Sequence, residues 1–425
     1  MGIYEAGFYL YNLLLIPVIF FSLIFYNLAV TSIFFKQNIR RFKNNVKGWP
    51  SVTIQIPTYN DAVVVRCLKH VLKFDYPQNK FHIIVADDSS DPKTRSVIDN
   101  FVNRYPEKIK VVRRDSRKGF KSGALNNSLE YAKGEIIVIF DADFTPKKDF
   151  LKKIVAPMLE DKKIGIVQGK MDYINMNQNL ITKIASVLLI IYYQVIMPIN
   201  NRLKIVFFCG HSGAIRKDLL LKVGGWNENS ITEDTDLSLK LLKAGYKSVY
   251  LSDVVVPGEV PFTLLSFVKQ QMRWTYGNTR VFLENALSIW VHKKLTFLQK
   301  LMMSWVLTFG NIVSLFVIWM TFFAVITMLT GVPKAFTMAD AVRFLTTYLA
   351  TGGFLSLAIV AVHKEKKTHL VKSTLIGAPT VGLVVTLTNT VAFLEAVLGI
   401  KMKWFKTPKY GNISILNWFA KNIKG

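Results

Sequence analysis

Cysteine is scarce in this chain, and acidic residues are few beside basic ones. Cys67 and Cys209 are its two cysteines, so the sequence implies no disulfide framework and suits a reducing compartment. The 28 Asp and Glu residues face 54 Lys and Arg residues, which leaves a net charge of +26. This excess suits nucleic acid, anionic lipid or the phosphates of a nucleotide sugar. Zinc-ligand spacing, an RNA-binding signature and a basic-aromatic repeat are absent, so we expect membrane lipid rather than nucleic acid as a partner.

Long apolar runs are what the chain has in abundance. Apolar residues make up 51% of it, as is typical of a membrane protein. Residues 7–35 are almost uncharged and exceed the roughly 20 residues that cross a bilayer. Basic residues follow this run at 36–47 and none precede it, which predicts a transmembrane helix within 1–36 rather than a signal peptide. By the positive-inside rule, the N-terminus lies outside and residues 37–260 are cytoplasmic.

The region 301–400 is predicted to hold the remaining membrane helices. Residues 301–330 and 341–362 read as spans separated by an external loop. Residues 373–400 are apolar but contain glycines, a proline and an asparagine. A plain span there would export the basic tail, so we predict a re-entrant or interfacial pair of short helices that keeps residues 401–425 cytoplasmic.

Two other stretches are apolar but interrupted by polar residues. Residues 174–202 and 261–300 are therefore predicted to be amphipathic helices that lie in the membrane interface. The second contains Q-Q-M-R-W, in which Gln270 and Arg273 share one helical face. Trp274 beside them is suited to stack on a sugar, although a tryptophan that anchors a helix at the lipid headgroups has the same pattern.

Short apolar strands alternate with helix-compatible segments over 37–260, as in an α/β domain. The run E-I-I-V-I-F is typical of a buried parallel strand, and Asp141 and Asp143 follow it directly. Ligands bind beyond the carboxyl ends of such strands, and side chains two residues apart point the same way. Two carboxylates suit Mg²⁺ or Mn²⁺. A solvated turn after a strand gives the same D-x-D, so the assignment depends on the rest of the chain.

Polar residues follow the neighbouring predicted strands too. P-T-Y-N-D ends the first strand, D-D-S-S ends the second, and K-G-F-K-S-G suits a glycine-bearing turn that opens a helix. Because parallel strands end at one edge of a sheet, that edge is the predicted site. The candidate side chains there are Thr58, Tyr59, Asp61, Asp87, Asp88 and Lys121. Lys121 alone would also fit a solvated loop lysine in so basic a chain.

Six short motifs follow one another along the chain. They are P-T-Y-N-D at 57–61, D-D-S-S at 87–90, D-A-D at 141–143, F-F-C-G at 207–210, T-E-D at 232–234 and Q-Q-M-R-W at 270–274. On these motifs the chain resembles the membrane-integrated family 2 glycosyltransferases, the group that includes cellulose, chitin and hyaluronan synthases. The resemblance implies an α/β nucleotide-sugar-binding domain of the glycosyltransferase A type, Rossmann-like and cytoplasmic. It further implies that this domain is inserted between transmembrane helices and accompanied by amphipathic interfacial helices.

The resemblance also implies a role for each motif. Asp234 would be the base that takes the proton from the acceptor hydroxyl, and Glu233 would orient the loop or the acceptor. Asp143 would hold the divalent cation, Mg²⁺ or Mn²⁺, with Asp141 as a second candidate ligand that faces the ribose or sugar of the donor. The donor-binding residues would be Thr58, Tyr59, Asp61, Asp87, Asp88, Lys121, Asp141, Gln270 and Arg273, and the acceptor-binding residues Trp274, Cys209 and Gly210. Asp61 stands where the family has the longer Glu.

Near the C-terminus, W-F-K-T-P-K resembles the gating-loop motif of the same family. It implies that Thr407 and Lys409 bind the donor once that loop closes over it.

Two motif residues have simpler explanations. Two acids at the start of a helix also complement its dipole, which would account for Glu233 and Asp234 without catalysis. His211 is interpreted as structural, because Asp234 already supplies a base.

The predicted activity is an inverting transfer to a growing β-linked polysaccharide that is exported across the cell membrane. The donor is a nucleoside-diphosphate sugar, with UDP favoured and glucose or N-acetylglucosamine as the sugar. A rival enzyme would add one sugar to a ceramide or polyprenyl phosphate, which needs the same donor site but no channel. The small number of predicted spans favours this lipid-linked acceptor, which needs no channel, unless the protein forms a homo-oligomer. The motifs Q-Q-M-R-W and T-P-K favour the polysaccharide acceptor instead. Retention of every acidic motif opposes a non-enzymatic scaffold that binds lipid or nucleic acid.

Overall fold

The computed structural model describes residues 2–34, 48–331 and 337–403, and the chain divides into two compact units. The first, called here the sheet unit, comprises the described residues within Asn38–Gln178 and Asn200–Phe262. The second, the helical unit, comprises the described residues within Met1–Gln37, Asn179–Ile199 and Thr263–Lys403. The residue bounds of the sheet unit are thus similar to those of the predicted 37–260 domain, except that residues 179–199 belong to the helical unit.

A seven-stranded sheet forms the centre of the sheet unit. Its strands are β1 (Val52–Thr58), β2 (Phe81–Asp87), β3 (Ile109–Val112), β4 (Ile136–Ile139), β5 (Ile164–Tyr173), β6 (Gly213–Arg216) and β7 (Lys247–Gly258). They are arranged in the order β3-β2-β1-β4-β6-β5-β7. Every adjacent pair is parallel except those that include β6, which is antiparallel to both β4 and β5. The predicted α/β architecture is present, and the sequence analysis does not predict its one antiparallel strand, β6.

Sixteen α-helices accompany the sheet within the described residues. They are α1 (Ile3–Phe34), α2 (Val64–Val71), α3 (Pro92–Val102), α4 (Phe120–Leu129), α5 (Phe150–Glu160), α6 (Leu180–Ile191), α7 (Met197–Arg202), α8 (Lys217–Lys222), α9 (Glu233–Lys243), α10 (Leu264–Trp290), α11 (Phe297–Ser304), α12 (Gly310–Thr330), α13 (Met338–Thr351), α14 (Gly353–Lys364), α15 (Leu370–Gly377) and α16 (Leu383–Leu398). A 3₁₀ turn (Gln78–Lys80) and three π-helical turns (Tyr192–Ile196, Trp305–Phe309 and Ala378–Gly382) lie between them.

Strand register brings the predicted site residues to one edge of the sheet. Thr58 at the end of β1 pairs with Asp87 at the end of β2, and Gln55 of β1 pairs with Ile139 of β4. The D-A-D turn therefore follows the sheet at the level where β1 and β2 also end. Branched apolar side chains fill both faces of these strands, as a parallel sheet covered by helices requires.

Two helices are fixed to the centre of this sheet by a common apolar core. Leu125 of α4 and Leu237 and Leu241 of α9 join Ile137 and Ile139 of β4 in one buried cluster. Since α4 and α9 begin with candidate site residues, this packing holds their first turns beside the D-A-D turn.

Within the described ranges, four helical runs are long and apolar enough to cross a membrane. They are Ile3–Phe34, Leu180–Arg202, Asn311–Thr330 and Leu370–Leu398. The pair α13 and α14, bent by 57°, would provide a fifth if it forms one broken span. The first and third runs lie within the stretches predicted as spans at 1–36 and 301–330, and their crossing of a membrane stays a prediction.

The stretch predicted to be interfacial at 174–202 forms a run whose length and composition also permit a span. One polar residue that suggests an interface, Gln194, donates its side-chain amide to Glu365 within the helical unit. Because protein satisfies that polar group, it does not need the lipid headgroups. Interfacial placement of this run stays a prediction.

The break in the C-terminal helices lies elsewhere than predicted. Residues 373–400 do not form a pair of short helices, because α15, a π-helical turn that begins beside Pro379 and α16 make one continuous run. The predicted single span at 341–362 is instead broken at Gly352. There Gly353 donates its N–H to Ser22 Oγ (2.8 Å), and a Cβ on Gly353 would lie 2.1 Å from the Ser22 carbonyl. Close approach of α1 thus explains the bend.

Candidate active site

The turn after β1 carries the first predicted donor-binding residues. Thr58 is buried at the end of the strand, and its carbonyl accepts the N–H of Asp88 (3.0 Å). Asp61 is also buried, and its Oδ1 accepts the N–H of Val63 (3.3 Å). Short acids that bond the backbone two residues onward stabilise turns. The structure therefore gives the Asp at position 61 a loop-shaping contact.

Sequence reasoning misses Asn60, which joins the loops after β1 and β2. It has a φ of 45°, and its N–H donates to Ser89 Oγ (2.8 Å). Its Oδ1 accepts the N–H groups of Ser90 (2.8 Å) and Asp91 (2.9 Å). Asparagine tolerates the left-handed region and bonds local backbone, so the Asn within P-T-Y-N-D is a signal that could have identified it.

The two aspartates after β2 have different partners. Asp87 accepts from Arg113 Nε (2.7 Å) and from the N–H of Ser89 (3.0 Å), and its side chain is fully buried. Asp88 forms a bidentate pair with Arg114, with Nε to Oδ1 at 2.8 Å and Nη2 to Oδ2 at 2.7 Å. Buried carboxylates need such pairing. Asp87 thus anchors the strand end, whereas Asp88 belongs to the site loop.

Tyr59 lies beside the same loop. The guanidinium of Arg117 is 3.3 Å from the centre of the Tyr59 ring, in cation–π contact. Arg117 Nε is also 3.9 Å from Asp88 Oδ2. We call Tyr59, Asp88, Arg114 and Arg117 the Asp88 cluster. Neither arginine belongs to one of the six motifs, so the sequence analysis does not predict the Asp88 cluster.

Lys121 lies among carboxylates rather than in a solvated loop. Its Nζ donates to Asp141 Oδ1 (2.9 Å) and to the carbonyl of Gly210 (2.9 Å), and it is 3.8 Å from Glu233 Oε1. Burial alone would lower the pKa of Lys121, but the negative charges of Asp141 and Glu233 raise it above its ordinary value. Lys121 is therefore an ammonium ion that links the D-A-D, F-F-C-G and T-E-D motifs.

The two carboxylates of D-A-D differ in exposure. The side chain of Asp141 is 31% exposed, whereas Asp143 is completely buried. Asp143 Oδ2 accepts the N–H of Glu259 (2.6 Å), and its carbonyl accepts from Arg66 Nη2 (2.9 Å). The same Nη2 is 2.6 Å from Glu259 Oε1. Arg66 and Glu259, which the motifs do not mark, therefore fix the orientation of Asp143.

The T-E-D motif begins α9, and its last acid approaches Gly210. Asp234 is half-buried, and its Oδ1 accepts the N–H of Thr235 (2.8 Å). A Cβ on Gly210 would lie 2.9 Å from Asp234 Oδ2, and Gly210 has a φ of +75°. Glycine is required there on both counts. Glu233 is buried beside Lys121.

A glutamine in the middle of β5 holds the F-F-C-G loop. Gln168 Oε1 accepts the N–H of Cys209 (2.9 Å), and its Nε2 donates to the carbonyl of His211 (3.0 Å). The N–H of Phe208 donates to Ser238 Oγ (2.8 Å) on α9. A polar residue inside a buried strand is the signal for this clamp, which the sequence analysis misses.

His211 packs its ring against Phe144, with the ring centres 4.6 Å apart, and its Nδ1 lies 3.3 Å from Ser212 Oγ. These contacts suit the structural interpretation, which stays a prediction.

Other predicted site residues are not part of the sheet unit. Gln270, Arg273 and Trp274 are half-buried on α10 of the helical unit. Thr407 and Lys409 lie outside the described residues.

The chemistry of the D-A-D turn fits a divalent cation that is shared with a ligand. Asp141 and Asp143 provide hard oxygen atoms of the kind that Mg²⁺ and Mn²⁺ prefer. Within the described ranges, no group of three or more His, Cys, Asp and Glu side chains could hold a metal ion. Phosphate oxygens and water would therefore have to complete the coordination.

Comparison with known proteins gives two family matches. The family described as "Glycosyltransferase like family 2" matches residues 50–277, and the family described as "Cellulose synthase" matches residues 205–371. A "Probable glucomannan 4-beta-mannosyltransferase 7" of Oryza sativa subsp. japonica is 32% identical over 60% of this chain and 45% of its own length. A "Probable glycosyltransferase YdaM" of Bacillus subtilis (strain 168) is 31% identical over 59% of this chain and 60% of its own. The chain thus spans about half the length of the curated relatives it matches.

Among solved structures, the chain is similar to "Mannosyltransferase PcManGT from Pyrobaculum calidifontis in complex with GDP-Man and Mn2+". The TM-score is 0.62 at 20% identity, and the match covers 89% of this chain and 99% of the other. This likeness confirms the predicted fold class. The comparisons do not support the prediction of glucose or N-acetylglucosamine as the sugar. The names of these relatives describe mannosyltransferases instead.

Proposed function

Since the chain belongs to glycosyltransferase-like family 2, as its motifs predict, we propose that it transfers a sugar from a nucleoside-diphosphate donor to an acceptor hydroxyl with inversion. One observation carries the proposal. Four acidic positions predicted from three separate motifs, Asp88, Asp141, Asp143 and Asp234, are held at one edge of the sheet unit by a half-buried arginine, a half-buried lysine and backbone partners. Converging acids of this kind suit proton removal and metal binding in one site.

Asp234 is the proposed base. It accepts the proton of the acceptor hydroxyl as that oxygen attacks the anomeric carbon, so a single inversion of an α-linked donor gives a β-linked product. Asp143 would hold the divalent cation, with Asp141 as a second candidate ligand, and the cation when bound would neutralise charge on the departing diphosphate. Arg273 is proposed to assist at the diphosphate, and its buried Nε, which has no hydrogen-bond partner among the described residues, supports a ligand-binding role.

We propose GDP-mannose as the donor in place of the UDP-sugar that the motifs favour, because the mannosyl relatives support a mannosyl donor. GDP with Mn²⁺ should raise the melting temperature of the purified protein more than UDP with Mn²⁺ does. A ligand at about 100 times its Kd stabilises the folded state by about 2.7 kcal/mol, so thermal unfolding measures the preference. GMP, which lacks the β-phosphate, is the control and should stabilise less. A larger shift with UDP would restore the UDP-sugar prediction, and no shift with either nucleotide would oppose the proposed function.

The acceptor is proposed to be a growing β-linked glycan at the membrane, and the helical runs long enough to span a bilayer support a membrane location. Purified protein incubated with the labelled donor should make a ladder of products that is insoluble in organic solvent. A single product that organic solvent extracts would instead support a lipid acceptor and would remove the polymerase assignment. Heat-inactivated protein is the control for trapped donor.

A further inference from the structure

Arg114 connects two parts of the sheet unit that belong to different motifs. It binds Asp88 with Nε and Nη2, as described above. Its Nη1 donates to the carbonyl of Lys118 (2.5 Å), and its Nη2 also donates to the carbonyl of Phe120 (2.6 Å). One guanidinium thus spans from the end of β2 to the turn that opens α4.

This turn is tightly folded and needs support. Phe120 has a φ of 47° and Gly119 a φ of 70°, and a bulky residue rarely adopts that region unless contacts hold it there. A Cβ on Gly123 would lie 2.1 Å from the Lys118 carbonyl and 2.3 Å from Arg114 Nη1. The glycine of K-S-G therefore leaves room for the guanidinium, and Arg114 holds the carbonyls on both sides of the strained position.

The turn also determines where Lys121 lies. α4 begins at Phe120, so Lys121 is its second residue, and the Lys121 ammonium group reaches Asp141 and the Gly210 carbonyl. A shift of the turn would displace this ammonium group from both partners. The contacts run without a gap from Asp88 through Arg114 and the turn to Lys121.

The neighbouring arginine has no such connection. Arg113 donates to Asp87 (2.7 Å) and, with two nitrogens, to Asp99 (2.8 and 3.2 Å). Its partners therefore lie on β2 and α3, and neither is in the turn before α4. Arg113 matches Arg114 in type, in place on the chain and in carboxylate pairing, but it does not span to Lys121.

We propose that Arg114 is a positioning residue that couples the nucleoside end of the donor site, at Asp88, to the diphosphate end, at Lys121. The inference rests on the proposed function, in which a nucleoside-diphosphate sugar occupies this edge of the sheet. Asp88 and two carbonyls accept from four of the five N–H groups of Arg114, so it acts through the residues that it holds.

The test measures the two ends separately in the full-length protein. GMP and GDP affinities with Mn²⁺, or those of UMP and UDP if the wild type prefers uridine nucleotides, are determined by calorimetry. The dissociation constant of the monophosphate divided by that of the diphosphate measures how much the β-phosphate adds to binding, because both nucleotides share the nucleoside. This ratio therefore reports the diphosphate end. Arg114→Lys should weaken the monophosphate and also lower this ratio by at least about fivefold, because coupled sites change together. Arg113→Lys, the matched control, should leave the ratio unchanged.

Asp88→Asn provides a second test that does not depend on the folding of the arginine variant. Its amide oxygen can still accept from Arg114 Nε, but the charge is lost, so the ratio should fall here too. An unchanged ratio in Arg114→Lys or in Asp88→Asn would limit Arg114 to the nucleoside end and overturn the proposal. An equal fall in Arg113→Lys would overturn it in favour of general loosening after β3. If the wild type binds no nucleotide, the proposed function fails first, which distinguishes that failure from loss of coupling alone.

Discussion

Asp234→Asn is expected to slow sugar transfer by about 10²- to 10⁴-fold, the range by which a positioned general base accelerates a reaction. The amide has the same shape as the acid, and its oxygen can still accept the N–H of Thr235, which Asp234 Oδ1 accepts at 2.8 Å. The turn should therefore keep its geometry and lose only the group that takes the proton. Single-turnover transfer of labelled sugar measures the rate, and thermal stabilisation by the nucleoside diphosphate should stay as in the wild type.

Asp236→Asn is the matched control for this variant. Asp236 is buried in the same first turn of α9 and pairs with Lys240 four residues later (2.8 Å). Both substitutions remove one negative charge from the start of the helix, where each charge contributes about 0.3–1 kcal/mol through the dipole. If the acids serve only the helix, the two variants should lose activity equally. Full activity in Asp234→Asn would remove the base assignment altogether.

The sheet edge could be predicted because it follows from local pattern and a general rule of topology. A buried apolar run that ends in a carboxylate marks the end of a strand, and parallel strands place such ends together. On that basis the sequence predicts Asp88, Asp141 and Asp143 as site residues. The reversed strand β6 could not be predicted, because its four residues carry little periodicity and its direction is set by pairing with β4 and β5, which are distant in sequence.

The residues that hold the site could not be predicted in the same way. Asn60, Arg114 and Gln168 all act by bonding backbone groups of other loops. The residue types of Asn60 and Gln168 are signals, but the backbone groups that they bond depend on the path of those loops, which short motifs do not encode. An arginine two residues after a strand resembles an ordinary surface charge until the carbonyls of Lys118 and Phe120 are seen around it.

The apolar helical runs near the C-terminus show the limit of helix-breaking residues as signals. Pro379 suggests a break, yet the helical run continues past it through a π-helical turn. The actual bend lies at Gly352, where α1 comes close to Gly353. A glycine can lie within a continuous helix or at a bend, and a tertiary contact decides which of the two forms.

Asp143→Asn is expected to weaken Mn²⁺ binding by more than about tenfold, because even residues that only support a metal ligand change affinity by that much. The carboxylate is completely buried, and its Oδ2 accepts the N–H of Glu259 at 2.6 Å. The amide oxygen can accept the same bond, so no buried N–H is left unpaired and the fold should survive. What is lost is a negatively charged oxygen, which binds a hard cation more strongly than a neutral amide oxygen does. Electron paramagnetic resonance of Mn²⁺ in the presence of the nucleoside diphosphate measures the affinity without any turnover.

Asp141→Asn distinguishes the role of the Asp141 carboxylate from that of Asp143. Asp141 Oδ1 accepts from Lys121 Nζ at 2.9 Å, and its side chain is partly open to solvent. If Asp141 faces the ribose or sugar, its variant should raise the KM for the donor more than it weakens Mn²⁺ binding. The reverse pattern, with Mn²⁺ affinity kept in Asp143→Asn and lost in Asp141→Asn, would exchange the two roles. Because Arg66 and Glu259 fix Asp143 while Lys121 neutralises Asp141, the more rigid carboxylate is the one that we expect to hold the metal ion.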